Sequence, residues 1–379
     1  MTDMNGWRRL PAAQQPTWPD KDRLEAVGAE LGRLPALVTP SECDRLTGRL
    51  AAVARGEALM LLGADRAESF GEARPGLVDG KIRFLLELAT ALSHRSRVPV
   101  VRTARFAGQF AKPRPLGTEE RDGVELPAYL GDGVNGQEFS PAARVPDPRR
   151  LLRSYRCSAE VLARYRSAGP DVELYSAHEA LILDYESALA RTDPGTGAVY
   201  AGSGHLLWIG ERTRALGGAH LEFARHIRNP IGVKVGPEIE PGELLRLAGT
   251  LNPGRLPGRL TFVTRMGASR IEEVLPPLIE KIGASGVPVV WLCDPLHGNT
   301  RLTSSGHKTR EFADVLDEVE KFVRIHDELG TWAGGVQVEF TDGAGRTDPR
   351  LTREEALHLP LRWRADQPRR TRSGGTADG

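Results

Sequence analysis

The ionisable residues of this chain are not scattered. Short apolar runs recur at 58–63 (ALMLLG), 98–103 (VPVVRT), 172–176 (VELYS), 206–209 (LLWI), 231–236 (IGVKVG), 259–264 (RLTFVT), 287–292 (VPVVWL) and 334–340 (GGVQVEF), and each contains or precedes charged groups. Asp65, Arg66 and Glu68 follow the first run; Arg105, Lys112 and Arg114 follow the second. His178 and Glu179 come after the third, Glu211 and Arg212 after the fourth. Lys234 lies inside the fifth, Arg265 ends the sixth, Asp294 and His297 follow the seventh, and Glu339 sits near the end of the eighth. Cations predominate, and guanidinium forks read phosphate and carboxylate, so the expected chemistry is the gripping of a small anion. In IGVKVG the period of two puts Gly232, Lys234 and Gly236 on one face, opposite Ile231, Val233 and Val235. The two glycines are expected to leave space around a buried ammonium, which then needs an anionic partner or a lowered pKa. A solvent-facing lysine on an edge strand is the competing reading, and the unbroken apolar run argues against an edge. His297, Glu339 and Asp348 form a candidate metal set, although a lone histidine in a segment such as PLHGNT is more often structural. GDGVNG (131–136) spells GxGxxG but follows no strand and opens no helix, so its glycines read as tight turns or close backbone approach.

The elements that must position these groups alternate. Helical patterns fall at about 21–33, 41–54, 80–94, 148–167, 179–191, 213–227, 242–250, 270–282 and 309–328, between the apolar runs. Ser41 with Asp44 resembles a capping box, and Asp147-Pro148 an N-cap followed by proline. Strand–helix alternation implies parallel strands with crossover helices, and eight strands close an α/β, (β/α)8 TIM barrel whose site lies at the C-terminal strand ends. The expected division is an N-terminal helical extension (1–57), the barrel (58–363) and a disordered, Arg/Gly-rich tail (364–379). The long Gly/Pro-rich stretch 107–147 reads as a functional loop. Lysine plus arginine minus aspartate plus glutamate is 51 − 50 = +1, so no net field favours nucleic acid or a membrane surface. No apolar run approaches the ~20 residues of a membrane helix, and no apolar segment follows Arg8 and Arg9 to make a secretory signal. Cys43, Cys157 and Cys293 are odd in number and far apart, which excludes a disulfide framework or zinc knuckle and points to the cytoplasm.

Longer segments carry a resemblance. RTARFAGQFAKPRP (102–115), GDGVNG (131–136), PDPRRLLRSY (146–155), SAHEALILDYESAL (176–189), HLLWIGERTRALGGAHLEFARHIRNPIGVKVGP (205–237), RLTFVTRMG (259–267), CDPLHGNT (293–300) and KTR (308–310) resemble the class II 3-deoxy-D-arabino-heptulosonate 7-phosphate (DAHP) synthases, from about 20 to 360. The resemblance implies a (β/α)8 barrel with N-terminal helices, and a transferase that condenses phosphoenolpyruvate with erythrose 4-phosphate in the shikimate route to aromatic amino acids. By motif, Arg105, Glu211, Arg212, Lys234 and Arg265, with Trp208 beside them, surround phosphoenolpyruvate. Lys112 and Arg114 meet the sugar phosphate. Lys234 shuttles protons, Glu211 orients water, and His297, Glu339 and Asp348 are three of four ligands to a divalent metal such as manganese or cobalt. The family likeness also implies a homodimer.

The departures bear on mechanism. The family's first metal ligand is a cysteine in a GGDCAESF-like segment; here GADRAESF (63–70) places Arg66 there. A family histidine is Gln337, the serine of KPRS is Pro115, an arginine before GD is Leu130, and the stretch before the last ligand shrinks to DGAGR (342–346). A permanent cation at position 66 leaves two readings open: an enzyme with no metal cofactor, in which Arg66 pairs with Glu339 or Asp348 and polarises the aldehyde, or altered chemistry. The acceptor side has changed more than the donor side, so the acceptor is expected to be an aldose phosphate, erythrose 4-phosphate or a relative, in a secondary-metabolite pathway. The alternatives are a same-fold enzyme acting on another acceptor or by different chemistry, and a non-catalytic barrel.

Overall fold

The structure, a computed structural model, describes residues 6–64, 69–169, 172–302, 308–341 and 350–363. Eight strands form the frame: β1 (Leu59–Ala64), β2 (Val100–Ala104), β3 (Tyr175–Glu179), β4 (Leu206–Ile209), β5 (Ile231–Val235), β6 (Leu260–Thr264), β7 (Val290–Cys293) and β8 (Gly335–Thr341). Each pairs in parallel with the next, and β8 returns to β1 with Met60 opposite Gly335 and Ala64 opposite Glu339. The chain is therefore the closed α/β barrel expected from its sequence.

Helices α1 (Lys21–Arg33) and α2 (Pro40–Ala54) precede β1, and α3 (Pro75–Ser96) and α4 (Arg149–Ser167) flank β2. After them come α5 (Leu183–Ala188), α6 (Ala219–His226), α7 (Pro241–Leu251), α8 (Ile271–Ser285), α9 (Phe312–Glu328) and α10 (Arg353–His358). The start of α2 differs from the expected Ser41–Asp44 box. Thr39 caps it, accepting from Glu42 N at 3.3 Å, while the Glu42 carboxylate accepts from Thr39 N at 2.8 Å, and Pro40 follows the cap. The Asp147 side chain accepts from Arg149 N at 3.0 Å, but α4 starts at Arg149 with Pro148 itself at the cap position, so the expected N-cap, Asp147, lies one residue before it. The stretch 107–147 is not plain loop: it holds a hairpin (Thr118–Arg121 with Val124–Pro127) and a helical turn, Pro141–Arg144. The tail 364–379 lies outside the described residues.

Register explains how charge reaches the mouth. In a strand alternate side chains share a face. Gly63 shows which face is outside, because a Cβ there would meet Leu85 of α3 at 2.4 Å. Met60 and Leu62 therefore face inward. Stepping round the ladder, the same parity falls on Thr103, Tyr175, Ala177, Glu179, Trp208, Gly232, Lys234, Val263, Leu292, Gln337 and Glu339. Arg105, Arg265 and Asp294 continue it one step past their strands. The lower interior is packed with Met60, Leu62, Val101 and Leu206, all nearly inaccessible. The upper end is polar because inward positions there carry charge.

Candidate active site

The centre of the upper layer is Lys234. Its ammonium donates to the Asp294 carboxylate and, at 2.5 Å, to Gln337 Oε1, and lies 5.9 Å from the centre of the Trp208 ring. The expected inward lysine with an anionic partner is thus present, but its two glycines do a different job. A Cβ at Gly232 would lie 2.8 Å from Trp208 Cβ, and one at Gly236 3.0 Å from the Glu211 carboxyl carbon. They make room for Trp208 and Glu211, not for the ammonium. Burial draws the Lys234 pKa down; Asp294 opposes this, and nearby Arg265 and Arg105 lower it further.

Asp294 also accepts from His297 Nδ1–H at 2.8 and 3.0 Å, which turns the imidazole so that Nε2 lies 3.5 Å from Glu339 Oε1. Arg105 Nη2 donates to the same Glu339 oxygen at 2.9 Å, and Arg310 Nη2 approaches Oε2 at 3.7 Å. Burial opposes ionisation of Glu339, yet His297, Arg105 and Arg310 together hold its carboxyl down at about 2. Asp294 is likewise held well below the carboxylate range against its burial, by His297 and Lys234.

Glu179 lies at the same level, half-buried with Oε1 inaccessible, and that oxygen has no hydrogen-bond partner among the described residues. Burial pushes its pKa up to about 7 although Lys234, Arg105, Arg212 and His178 all pull it down. Arg105, Arg212, Lys234 and Arg265 are therefore brought within electrostatic reach of shared neighbours at one mouth. Arg265 is fixed by donation from Nη2 to His297 O at 3.0 Å, and its buried Nε has no partner among the described residues. Glu211 Oε1 accepts from Arg214 Nη2 at 2.8 Å, whereas its buried Oε2 has no hydrogen-bond partner among the described residues.

Other expected residues stand differently. Arg114 Nε donates to Tyr129 O at 2.5 Å and its guanidinium lies 5.7 Å from the Tyr129 ring, so it is turned toward the hairpin segment. Lys112 is half-buried beside it, its backbone N donating to Leu130 O at 2.9 Å. Arg66 and Asp348 lie outside the described residues. The expected pairing of Glu339 with Arg66 therefore also lies outside the described residues; the described partners of Glu339 are Arg105, Arg310 and His297. Glu179, Asp294, Gln337 and Arg310 join the site without having been assigned a role from sequence. Glu179 is among the charged groups that follow the third apolar run, but the run VELYS puts that strand at 172–176 and leaves Glu179 beyond it. The actual strand, YSAHE, lies three residues later and brings Glu179 to an inward position.

The family model for the class-II DAHP synthetases matches residues 2–170 and 166–348. The chain belongs to this family. A phospho-2-dehydro-3-deoxyheptonate aldolase of Streptomyces coelicolor is 45% identical over 94% of this chain and 95% of that protein. Enzymes of the same name from Mycolicibacterium smegmatis and Neurospora crassa are 38% and 36% identical, covering 92% and 94% of this chain and 91% and 92% of their own lengths. The solved structure of a phospho-2-dehydro-3-deoxyheptonate aldolase from Francisella tularensis superposes with a TM-score of 0.55 at 13% identity, over 92% of this chain and 96% of that one. That likeness bears on the fold, and the class-II DAHP synthetase barrel agrees with it.

Proposed function

We propose that this class-II DAHP synthetase family member joins phosphoenolpyruvate to an aldose phosphate, erythrose 4-phosphate or a close relative, as a carbon–carbon-forming transferase. The observation that carries this is the convergence of Arg105, Arg212, Lys234 and Arg265 at one barrel mouth. A donor bearing both a phosphate and a carboxylate on three carbons needs several fixed cations. Donor C3 attacks the aldehyde carbon while the aldehyde oxygen takes a proton. Water then adds at donor C2, the bond from C2 to the phosphate oxygen breaks, and inorganic phosphate leaves a phosphorylated 3-deoxy-2-keto acid. Lys234, held by Asp294 and Gln337, binds the carboxylate and relays the proton. Glu211, with Oε2 unpartnered, orients the water. Lys112 and Arg114 receive the acceptor phosphate, Arg114 by exchanging the Tyr129 carbonyl for it.

Class-II enzymes normally use a divalent metal. Two of the residues offered for it are described here, His297 and Glu339, and Glu339 is already paired to two guanidinium groups. No third His, Cys, Asp or Glu joins them among the described residues. The third residue offered, Asp348, and position 66 lie outside the described residues. Arginine at the cysteine position, with Glu339 taken up by two guanidinium groups, supports a reading in which fixed cations, Arg66 among them, polarise the aldehyde. We place the enzyme in the cytoplasm, as a homodimer, in a secondary-metabolite pathway of shikimate type; no described helix is long and apolar enough to cross a membrane.

The test is donor consumption and phosphate release with a panel of aldose phosphates. Turnover is expected with at least one, and Lys234→Met should lower it about 100- to 1,000-fold with an unchanged circular dichroism spectrum. Donor binding without turnover on any acceptor would instead favour the non-catalytic barrel. Chelator treatment followed by dialysis is expected to leave activity intact; loss restored by manganese or cobalt would refute the metal-free part.

A further inference from the structure

The opposite end of the barrel holds a second cleft. It encloses about 1200 Å³ between α2, the last turns of α3 and the first residues of β2 and β3. Part of its wall is apolar, from Ala52, Ala89, Val98 and Val101. Some of its charges are already satisfied: Arg49 binds Glu173 at 2.8 and 3.1 Å, and Glu57 is held by Arg55 at 2.7 Å. Two are not. The guanidinium groups of Arg97 and Arg102 line the same cleft, and neither has a hydrogen-bond or ion-pair partner among the described residues.

Each is placed by its backbone. Arg102 sits on the outward face of β2, half-buried beneath α3. Arg97 ends α3 in the left-handed region at φ 57°, where glycine is the usual residue, so a bulky cation is kept at a position that disfavours it. A third group points to a ligand independently. Tyr175 also lines the cleft; the residue is 4% exposed and, among the described residues, its hydroxyl makes no hydrogen bond, with Arg49 and Glu173 close by. Burial, with Glu173 beside it, pushes that phenol up to about 12, so the hydroxyl keeps its proton and can donate it in a hydrogen bond.

We propose that this cleft binds a small organic anion, its acidic group held by Arg97 and Arg102 with the Tyr175 hydroxyl, and its apolar body against Ala52, Ala89 and Val98. An anion there satisfies two cations and a donor that now lack partners, and guanidinium groups accept carboxylate or phosphate alike.

Phenyl phosphate is a probe that carries both halves, and calorimetric titration reads its affinity. The barrel mouth is also an anion site, so Arg102→Ala, Tyr175→Phe and Lys234→Met are titrated beside the wild type. Arg102→Ala and Tyr175→Phe are each expected to weaken binding, Arg102→Ala by at least about tenfold, without changing kcat or KM for phosphoenolpyruvate. Lys234→Met should leave the probe affinity unaltered. Inorganic phosphate should bind more weakly than phenyl phosphate, and phenol should give no heat. Equal affinity in wild type and both cleft variants overturns the proposal, as does binding lost only in Lys234→Met, which puts the probe at the mouth. Inorganic phosphate binding as tightly as phenyl phosphate removes the apolar half, and phenol binding as tightly removes the anionic half. Tyr175→Phe deletes one oxygen and decides the matter if Arg102→Ala fails to fold.

Discussion

Glu179 ties a single carboxyl to the pH behaviour of the whole site. Its ordinary pKa of 4.5 is raised to about 7 by burial, against the pull of Lys234, Arg105, Arg212 and His178. Below that value it is neutral and leaves the cations to the donor. Above it, a fixed anion competes with phosphoenolpyruvate for them. KM for phosphoenolpyruvate is therefore expected to rise as pH goes from about 6 to about 8, and Glu179→Gln should flatten the rise. Steady-state profiles of both proteins check this; identical profiles would assign the ionisation elsewhere. Arg265 Nε and Glu211 Oε2 make a related point. Both are buried without hydrogen-bond partners among the described residues, a costly state unless a ligand completes it.

At the scale of elements, two devices hold the mouth in shape. Glu318 of α9 accepts from Met266 N at 2.9 Å and Gly267 N at 3.0 Å, and from Asn299 Nδ2 at 2.7 Å. One carboxyl so ties the loop bearing Arg265 to the loop that follows His297. The other device is the seam where β8 meets β1. Gly335 has φ 139°, and a Cβ there would stand 1.9 Å from Met60 O. Backbone cannot yield as a side-chain tip can. Gly335→Ala is expected to destabilise the fold by about 3 kcal/mol or more, read from the urea midpoint. A midpoint within error of wild type would show that the seam relaxes.

For the molecule as a whole, the ion network at the mouth couples folding to acid. Glu339 is buried, and His297, Arg105 and Arg310 still lower its pKa from 4.5 to about 2. A folded pKa below the unfolded one contributes stability above about 4.5 that is lost as pH falls toward 2. The size is on the order of 3 kcal/mol. Glu339→Gln should reduce stability at pH 7 and give a shallower loss between about pH 4.5 and 2. Urea unfolding across that range measures it, and parallel curves for the two proteins would contradict the assignment.

Much of this was legible in the residues alone. Apolar runs of strand length separated by helical periods imply parallel strands, because a strand that repeats after a helix must run the same way; the eight runs therefore led to the barrel. Period two within IGVKVG turned Lys234 inward before any coordinates. Other features were out of reach of local pattern. The third strand is polar where it meets the mouth, so hydrophobicity placed it three residues early and put Glu179 past the strand's end, with its inward position undetermined. The use of Gly232 and Gly236 depends on Trp208 and Glu211, which belong to the neighbouring strand and loop. Glu339 meets Arg105 across 234 residues of chain, and only closure of β8 on β1 sets them 2.9 Å apart. Residue type and spacing determine which groups face inward; the pairing of strands decides which of them touch, and contact is what sets their charge.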